Sequence, residues 1–287
     1  MPSTTPALPA IGLPTLLRAL LKFPKQRARQ ASPMSMPDLV TEYRLDGLPV
    51  DDIARYRAAF GFADGHVPVT WWYLLAQRAH LATMLDPRFP FKVVGVVHMD
   101  NALNEHGPTE PGQTLIVKTV LRLLPPSGSG ALRCTLETTG SAAGAGGAPI
   151  FSCTSTYLIK RGARSGAKPA LDAEPPSGEI VAQWTLDAMA GRRYARLSGD
   201  WNPIHLTGWS ARLMGMRAPI IHGMHTLAAS CAALEKRSGR HATAISCRFR
   251  APIPLGSSVT LRAQMDSGEF VVAAGGKPAV TGNCTLA

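Results

Sequence analysis

The chain has 287 residues, 45% of them apolar and 17% charged, so two ordinary cores are the default. Its five cysteines (Cys134, Cys153, Cys231, Cys247, Cys284) lack CxxC spacing and cannot all pair, which argues against a disulfide framework or a zinc ribbon and for a reducing compartment, the cytoplasm. The net charge of +11 suits an anionic ligand, an acidic protein or a membrane surface; because Lys and Arg are dispersed and not interleaved with aromatics, nucleic acid is not expected as a partner.

Residues 1–37 contain no acidic residue and many prolines. Their apolar run, Ile11 to Leu21, is interrupted by Pro14 and Arg18 and falls short of the ~20 residues a membrane span needs. It also lacks the charged start and cleavage site of a signal peptide. The segment reads as a basic, Pro-rich arm or short helix laid over the body; a peripheral membrane contact through Lys22, Lys25, Arg27 and Arg29 is the alternative.

Residues 38–160 read as one folded domain. A strand is expected over Leu39–Leu45, a capped amphipathic helix over Val50–Phe60, and a long helix over Val69–Leu85 that ends at Asp86-Pro87. Apolar residues run nearly all round this last helix (Trp71, Trp72, Leu74, Leu75, Leu81, Met84), which marks it as buried. Strands follow at Lys92–Met99, Thr114–Leu124, Ala131–Thr138 and Pro149–Ile159. Residues 161–178 are rich in Gly, Ala and Pro and read as a linker.

The same programme then repeats over 179–287. It gives a strand at Glu179–Leu186, a short helix near Asp187–Leu197, an irregular turn, a buried helix at Met224–Leu234, and strands near Ala244–Arg250, Ser258–Met265, Glu269–Ala274 and Ala279–Leu286. A fused pair would form within one chain the contact that single-domain relatives form by dimerising, so a monomeric pseudo-dimer or a homodimer is expected.

Between the short helix and the buried one stands Ser198-Gly-Asp200-x-Asn202-Pro203-x-His205, followed by Pro219-Ile-Ile-His222-Gly223-Met224. Gly199, Asn202 and Pro203 forbid regular structure there, so an acid and an imidazole share one short turn. Taken singly, Asp200 and Asn202 are explained by turn hydrogen bonds and a lone His by packing; turn formation does not require both ionisable groups together with Gly223 at a helix start. This pattern closely resembles the hydratase motif of the MaoC-like dehydratases and (R)-specific enoyl-CoA hydratases. The resemblance extends more loosely over about the last 110 residues, including Phe249-Arg-Ala-Pro-Ile-Pro-Leu-Gly256 and Ala279-Val-Thr-Gly282. It implies an α+β double hot-dog fold, a long helix wrapped by a curved antiparallel sheet in each copy, acting on acyl thioesters.

The resemblance further implies that Asp200 and His205 share one water, that the Gly223 N–H stabilises charge on the thioester oxygen, and that no cofactor is needed. Asn202, Pro203 and His222 are expected to support the pair. Arg217, Arg248 and Arg250 are candidates for CoA phosphate contacts, with solvation of the strand surface as their plain alternative. His225 follows His222 by three residues, a spacing compatible with a metal site that could include His205 and Asp200, whereas the resemblance argues for none. No such motif precedes the linker: Asp64 and His66 have the wrong spacing and read as a solvated loop, so the first copy is degenerate, its long helix lining the acyl site as in double hot-dog relatives. The expected reaction is reversible hydration of trans-2-enoyl-CoA to (R)-3-hydroxyacyl-CoA. The alternatives are the same chemistry on an acyl carrier protein and a non-catalytic acyl-thioester binding protein.

Overall fold

A computed structural model describes residues 5–22, 36–110, 112–128, 130–144, 147–160 and 178–287. Lys25, Arg27, Arg29 and nearly all of the expected linker lie outside them. The chain forms two compact units: one from the described residues of Met1–Pro49 and Trp72–Pro169, the other from those of Val50–Trp71 and Ala170–Ala287.

In the first unit, the strands β1 (Leu39–Leu45), β2 (Val97–Glu105), β3 (Leu115–Leu123), β4 (Leu132–Ala142) and β5 (Pro149–Lys160) pair antiparallel in the order β1-β3-β4-β5-β2. Burial alternates along β3 and β4, so Leu115, Val117, Thr119 and Leu121 face inward beside Leu132, Cys134, Leu136 and Thr138. The inward face packs on the helix formed by Trp72–Leu85. Phe89, Met84, Leu39 and Tyr157 close the core at one end. At the core's centre, the fully buried His80 bonds Thr138 Oγ1 through Nε2 (2.9 Å) and the Tyr157 hydroxyl through Nδ1 (3.2 Å). Burial, and secondarily the charge of His98, push this imidazole down to about 3, so it is neutral.

The β2 strand begins later and runs further than its expected span. Gly95, at φ +92°, interrupts the apolar run, and Phe91, Val93 and Val96 pack on the core from irregular backbone. The strand's polar end is concealed in sequence because Asn101 is buried, its amide donating to Ser155 Oγ at 2.8 Å.

The arm carries a helix at Leu13–Leu21. Ahead of it, Leu8 N–H donates to the Arg44 carbonyl and Arg44 N–H to the Pro6 carbonyl. Arg78 donates to the Leu8 and Pro9 carbonyls (2.7 and 2.9 Å). Lys22 donates to the carbonyls of Met84 and Asp86, neutralising the end of the core helix.

The second unit repeats the strand order, as β6 (Glu179–Thr185), β8 (Ser258–Gln264), β9 (Glu269–Ala274), β10 (Lys277–Leu286) and β7 (Ala242–Phe249). Gly275 and Gly276, at φ +56° and +75°, make the tight β9–β10 turn. In chain order the helices are α1 (Leu13–Leu21), α2 (Val50–Phe60), α3 (Trp72–Leu85), α4 (Ala190–Ser198), α5 (Gly208–Leu213) and α6 (Gly223–Ser238). The core helix of this unit is α6, with Met224, Leu227, Ala228, Cys231 and Leu234 buried. Each unit is thus a helix packed on a five-stranded antiparallel sheet, the hot-dog arrangement in two copies.

One segment departs from the contiguous division at the linker. Residues 50–71 belong to the second unit, because α2 finds its apolar partners there: the Phe60 ring lies 6.2 Å from Tyr194 and 5.3 Å from His225. The expected helix Val69–Leu85 accordingly begins as a 3-10 turn, Val69–Trp71, that stays with the second unit. Asp64 is exposed as expected, but His66 is not solvated: its Nε2 stands 3.3 Å from the buried carboxylate of Glu235 on α6. Among the described residues no helix is long and apolar enough to cross a membrane.

Arg78→Ala should release the arm from α3. Two hydrogen bonds from a guanidinium, worth about 1–3 kcal/mol each, are lost, so limited trypsin digestion should cut at Arg18 or Lys22 faster while the rest of the chain stays folded. Unchanged cleavage would mean that the arm is held by other contacts.

Candidate active site

The site is built where α4 ends. Gly199 sits at φ +75°, a conformation open to glycine, and its N–H closes on the Ala195 carbonyl at 2.8 Å. Ser198 Oγ donates to the Tyr194 carbonyl and accepts the Asp200 N–H (3.1 Å). Asp200 Oδ1 then accepts the Asn202 N–H (3.1 Å), and Asn202 Oδ1 accepts the Ile204 N–H (3.3 Å), so two Asx turns follow one another. Pro203 starts a one-turn 3-10 helix, Pro203–His205, that ends on the imidazole. The turn chemistry that explains Asp200 and Asn202 separately is therefore present, and it also orders the acid and the base.

The turn is locked to the start of α6 by two histidines acting in opposite directions. His205 Nδ1 lies 2.8 Å from the Ile220 carbonyl, and His222 Nε2 lies 2.9 Å from the Asp200 carbonyl. A carbonyl can only accept, so His205 carries its proton on Nδ1 and His222 on Nε2. The bare nitrogens are then His205 Nε2 and His222 Nδ1. The two rings stack, centroids 3.7 Å apart and 26° from parallel, with Tyr194 packed on His222 at 4.9 Å. His222 thus bonds to the motif turn and makes no side-chain cap bond at its own helix start.

Glycine is required at two contacts. A Cβ on Gly191 would lie 2.0 Å from the His205 carbonyl oxygen, so α4 packs directly on the turn. A Cβ on Gly223 would lie 2.6 Å from the Phe249 ring, which gives this glycine a packing reason. As the first residue of α6, its N–H also stands outside the helical hydrogen-bond ladder, at the positive end of the helix.

Burial holds His205 below its ordinary value, opposed by the Asp200 charge and by the bond to Ile220. Burial pushes His222 down to about 3, with the neighbouring His205 adding to the shift. His225 falls to about 4 through burial and the nearby Arg193 charge. All three imidazoles are neutral at pH 7.

Asp200, His205 and His222 each offer a potential ligand atom, all within 4.8 Å of one another, the one such group among the described residues. His225 is not in it. The near-parallel stack sets the two imidazole lone pairs side by side and not converging on one point, a geometry suited to ring contact and poorly suited to a shared ion.

Arg217 and Arg248 are exposed, and the exposed Arg250 donates from Nε to Thr281 Oγ1 at 3.0 Å. Sequence reasoning missed Ile220, whose carbonyl fixes the His205 tautomer, and Phe60, brought in from the N-terminal half. A backbone acceptor leaves no trace in residue type, and nothing in the pattern of α2 marks its distant partners.

A profile described as MaoC like domain matches residues 176–277. The chain is 30% identical over 222 residues, 76% of its own length and 78% of the relative's, to 3-hydroxyacyl-thioester dehydratase X of Mycobacterium tuberculosis. The chain belongs to the MaoC-like dehydratase family. The crystal structure of HtdX from M. tuberculosis matches with a TM-score of 0.68 at 25% identity, covering 86% of this chain and all of that one. A MaoC-like dehydratase from Phytophthora capsici gives 0.66 at 19% identity over 88% of this chain and 96% of its own, a likeness of fold. As a MaoC-like dehydratase, the protein is an enzyme of the hydratase/dehydratase type.

His222 and His225 titrate near 3 and 4 in this MaoC-like fold and near 6.5 once unfolded. The unfolded chain then binds more protons as pH falls, so the stability these groups contribute is complete above about pH 6.5 and is lost progressively down to about pH 4 for His225 and about pH 3 for His222. Melting temperature should fall over that window, and His225→Leu should flatten the dependence by up to about 1.4 kcal/mol per pH unit. A slope unchanged in the variant would show that His225 is not held neutral by burial.

Proposed function

We propose that the protein adds water reversibly across the double bond of a trans-2-enoyl-CoA to give the (R)-3-hydroxyacyl-CoA, with Asp200 and His205 handling one water. The observation that carries this reading is the bond from His205 Nδ1–H to the Ile220 carbonyl, which leaves a bare, basic Nε2 on a neutral ring beside the Asp200 carboxylate. The chemistry calls for that arrangement. Hydration transfers a hydroxyl to the β-carbon and a proton to the α-carbon, with negative charge passing through the thioester oxygen between the two events.

In this mechanism the pair grips the water, takes one of its protons as the oxygen bonds to the β-carbon, and returns one proton to the α-carbon. No net charge is left on the protein. The Gly223 N–H, at the dipole-positive end of α6, receives the charge on the thioester oxygen. Asn202 and Pro203 hold the turn in shape, and His222 holds the Asp200 backbone. Arg217, Arg248 and Arg250, exposed in the same unit, are the residues we assign to the CoA phosphates. Dehydration follows the same path in reverse.

A second reading keeps the chemistry and changes the carrier to an acyl carrier protein. The net charge of +11 favours it, since such carriers are acidic. Rates with crotonyl-CoA and with the carrier-bound equivalent separate the two.

Asp200→Asn and His205→Ala should each lower turnover of crotonyl-CoA by about 10²–10⁴-fold, read as the loss of enoyl absorbance at equal folded fraction; His205→Ala, which also loses the bond to Ile220, should melt lower than wild type. A variant that keeps more than about a tenth of the rate would remove its residue from the acid/base role.

A further inference from the structure

The α5 helix follows the catalytic turn directly, and its outward face has no role in the fold. Trp209 and Leu213 are one helical turn apart and therefore share a face, and they are 72% and 68% exposed. Met214, next along, and Trp201, on the motif turn, are 37% and 38% exposed. Leaving that much apolar surface in water costs about 25 cal/mol per Å², and α5 does not need it. The helix is held from its other side by the buried Ala211, by the capping box between Thr207 and Ser210, and by Ser210 Oγ donating to the Pro203 carbonyl at 2.7 Å. This last bond fastens α5 to the turn that carries Asp200 and His205.

Charge indicates what covers the face. From residue 201 to residue 234 the chain carries Arg212 and Arg217, both exposed, and no carboxylate. Within this stretch, which is bounded by Asp200 and Glu235, both charged side chains are arginines and Arg212 lies on α5 itself, inside a chain of net charge +11. Size separates the two kinds of anionic partner. A stable protein interface needs about 800 Å² on each side, more than a helix of six residues presents. Shallow insertion of a Trp and a Leu with a flanking arginine at headgroup level is sufficient for an interfacial anchor.

We propose that the α5 face seats the protein on an anionic phospholipid surface, Trp209 and Leu213 entering the headgroup boundary and Arg212 pairing with lipid charge. The seating stands on these surface residues and is independent of the reaction assigned above. Its consequence is positional: through Ser210 and Pro203 the lipid surface lies next to the catalytic turn, where acyl chains dissolved in the bilayer are at hand.

The test is flotation of the full chain with vesicles of phosphatidylcholine alone or mixed with phosphatidylglycerol, together with quenching of tryptophan emission by brominated acyl chains. Wild type should float with the anionic vesicles only and lose most binding at about 0.5 M salt. Trp209→Ser/Leu213→Ser should float at least about tenfold less at unchanged melting temperature and unchanged rate on soluble crotonyl-CoA. Trp209→Phe, which keeps an aromatic anchor, should still float but lose the brominated-lipid quench. Equal flotation of the double variant would place membrane contact elsewhere, the basic arm included, and overturn the proposal. So would absence of wild-type flotation, whether the double variant then raises KM for a carrier-bound substrate alone, marking a carrier surface, or abolishes self-association, marking an interface between copies.

Discussion

The candidate site depends on a reciprocal lock. His205, from the motif turn, donates to the carbonyl of Ile220 at the entry to α6, and His222, from that entry, donates to the carbonyl of Asp200 in the turn. Each bond takes up a part-buried carbonyl, a hydrogen bond worth about 0.5–1.5 kcal/mol, and each fixes a tautomer. The stacked rings then share one buried layer in which a second positive charge is strongly disfavoured. The same geometry therefore stiffens two irregular segments and holds a neutral imidazole beside a carboxylate, so that in the proposed mechanism stability and chemistry rest on the same pair of bonds.

Around this lock the sequence supplies close approach. Gly191 lets α4 meet the His205 carbonyl, Gly223 lets Phe249 lie against the start of α6, and Ser210 ties the next helix to Pro203. Position is what these contacts contribute: a misplacement of ~1 Å at a reacting group can cost on the order of 10²-fold in rate. The first unit repeats the strand order without the motif. Its core helix instead holds the neutral His80 between Thr138 and Tyr157, a satisfied polar network deep in the core.

Much of this was legible in the residues. Strands with one buried face announce themselves by period two, so Leu39–Leu45 and Glu269–Ala274 are found as expected, and the repeat of strand and helix order is visible without coordinates. Legibility failed where a polar side chain is buried against a specific partner, as Asn101 is against Ser155, since alternation then breaks inside a real strand. It failed again for α2, whose amphipathic pattern is clear but whose unit is decided by Phe60 meeting Tyr194 and His225. At the site, the ionisable residues could be named from their spacing, while the tautomers could not, because they are set by the carbonyls of Ile220 and Asp200.

In the proposed mechanism one water, held between Asp200 and His205 on a single locked turn, supplies both the hydroxyl and the proton. Hydration of crotonyl-CoA in deuterated water, with both new centres assigned by NMR and chiral chromatography, tests it directly. Syn addition and the (R)-3-hydroxy product are expected, since both groups must reach the alkene from the same face. An (S) product, or anti addition, would mean that the proton and the hydroxyl arrive from opposite faces and would contradict a mechanism confined to this turn.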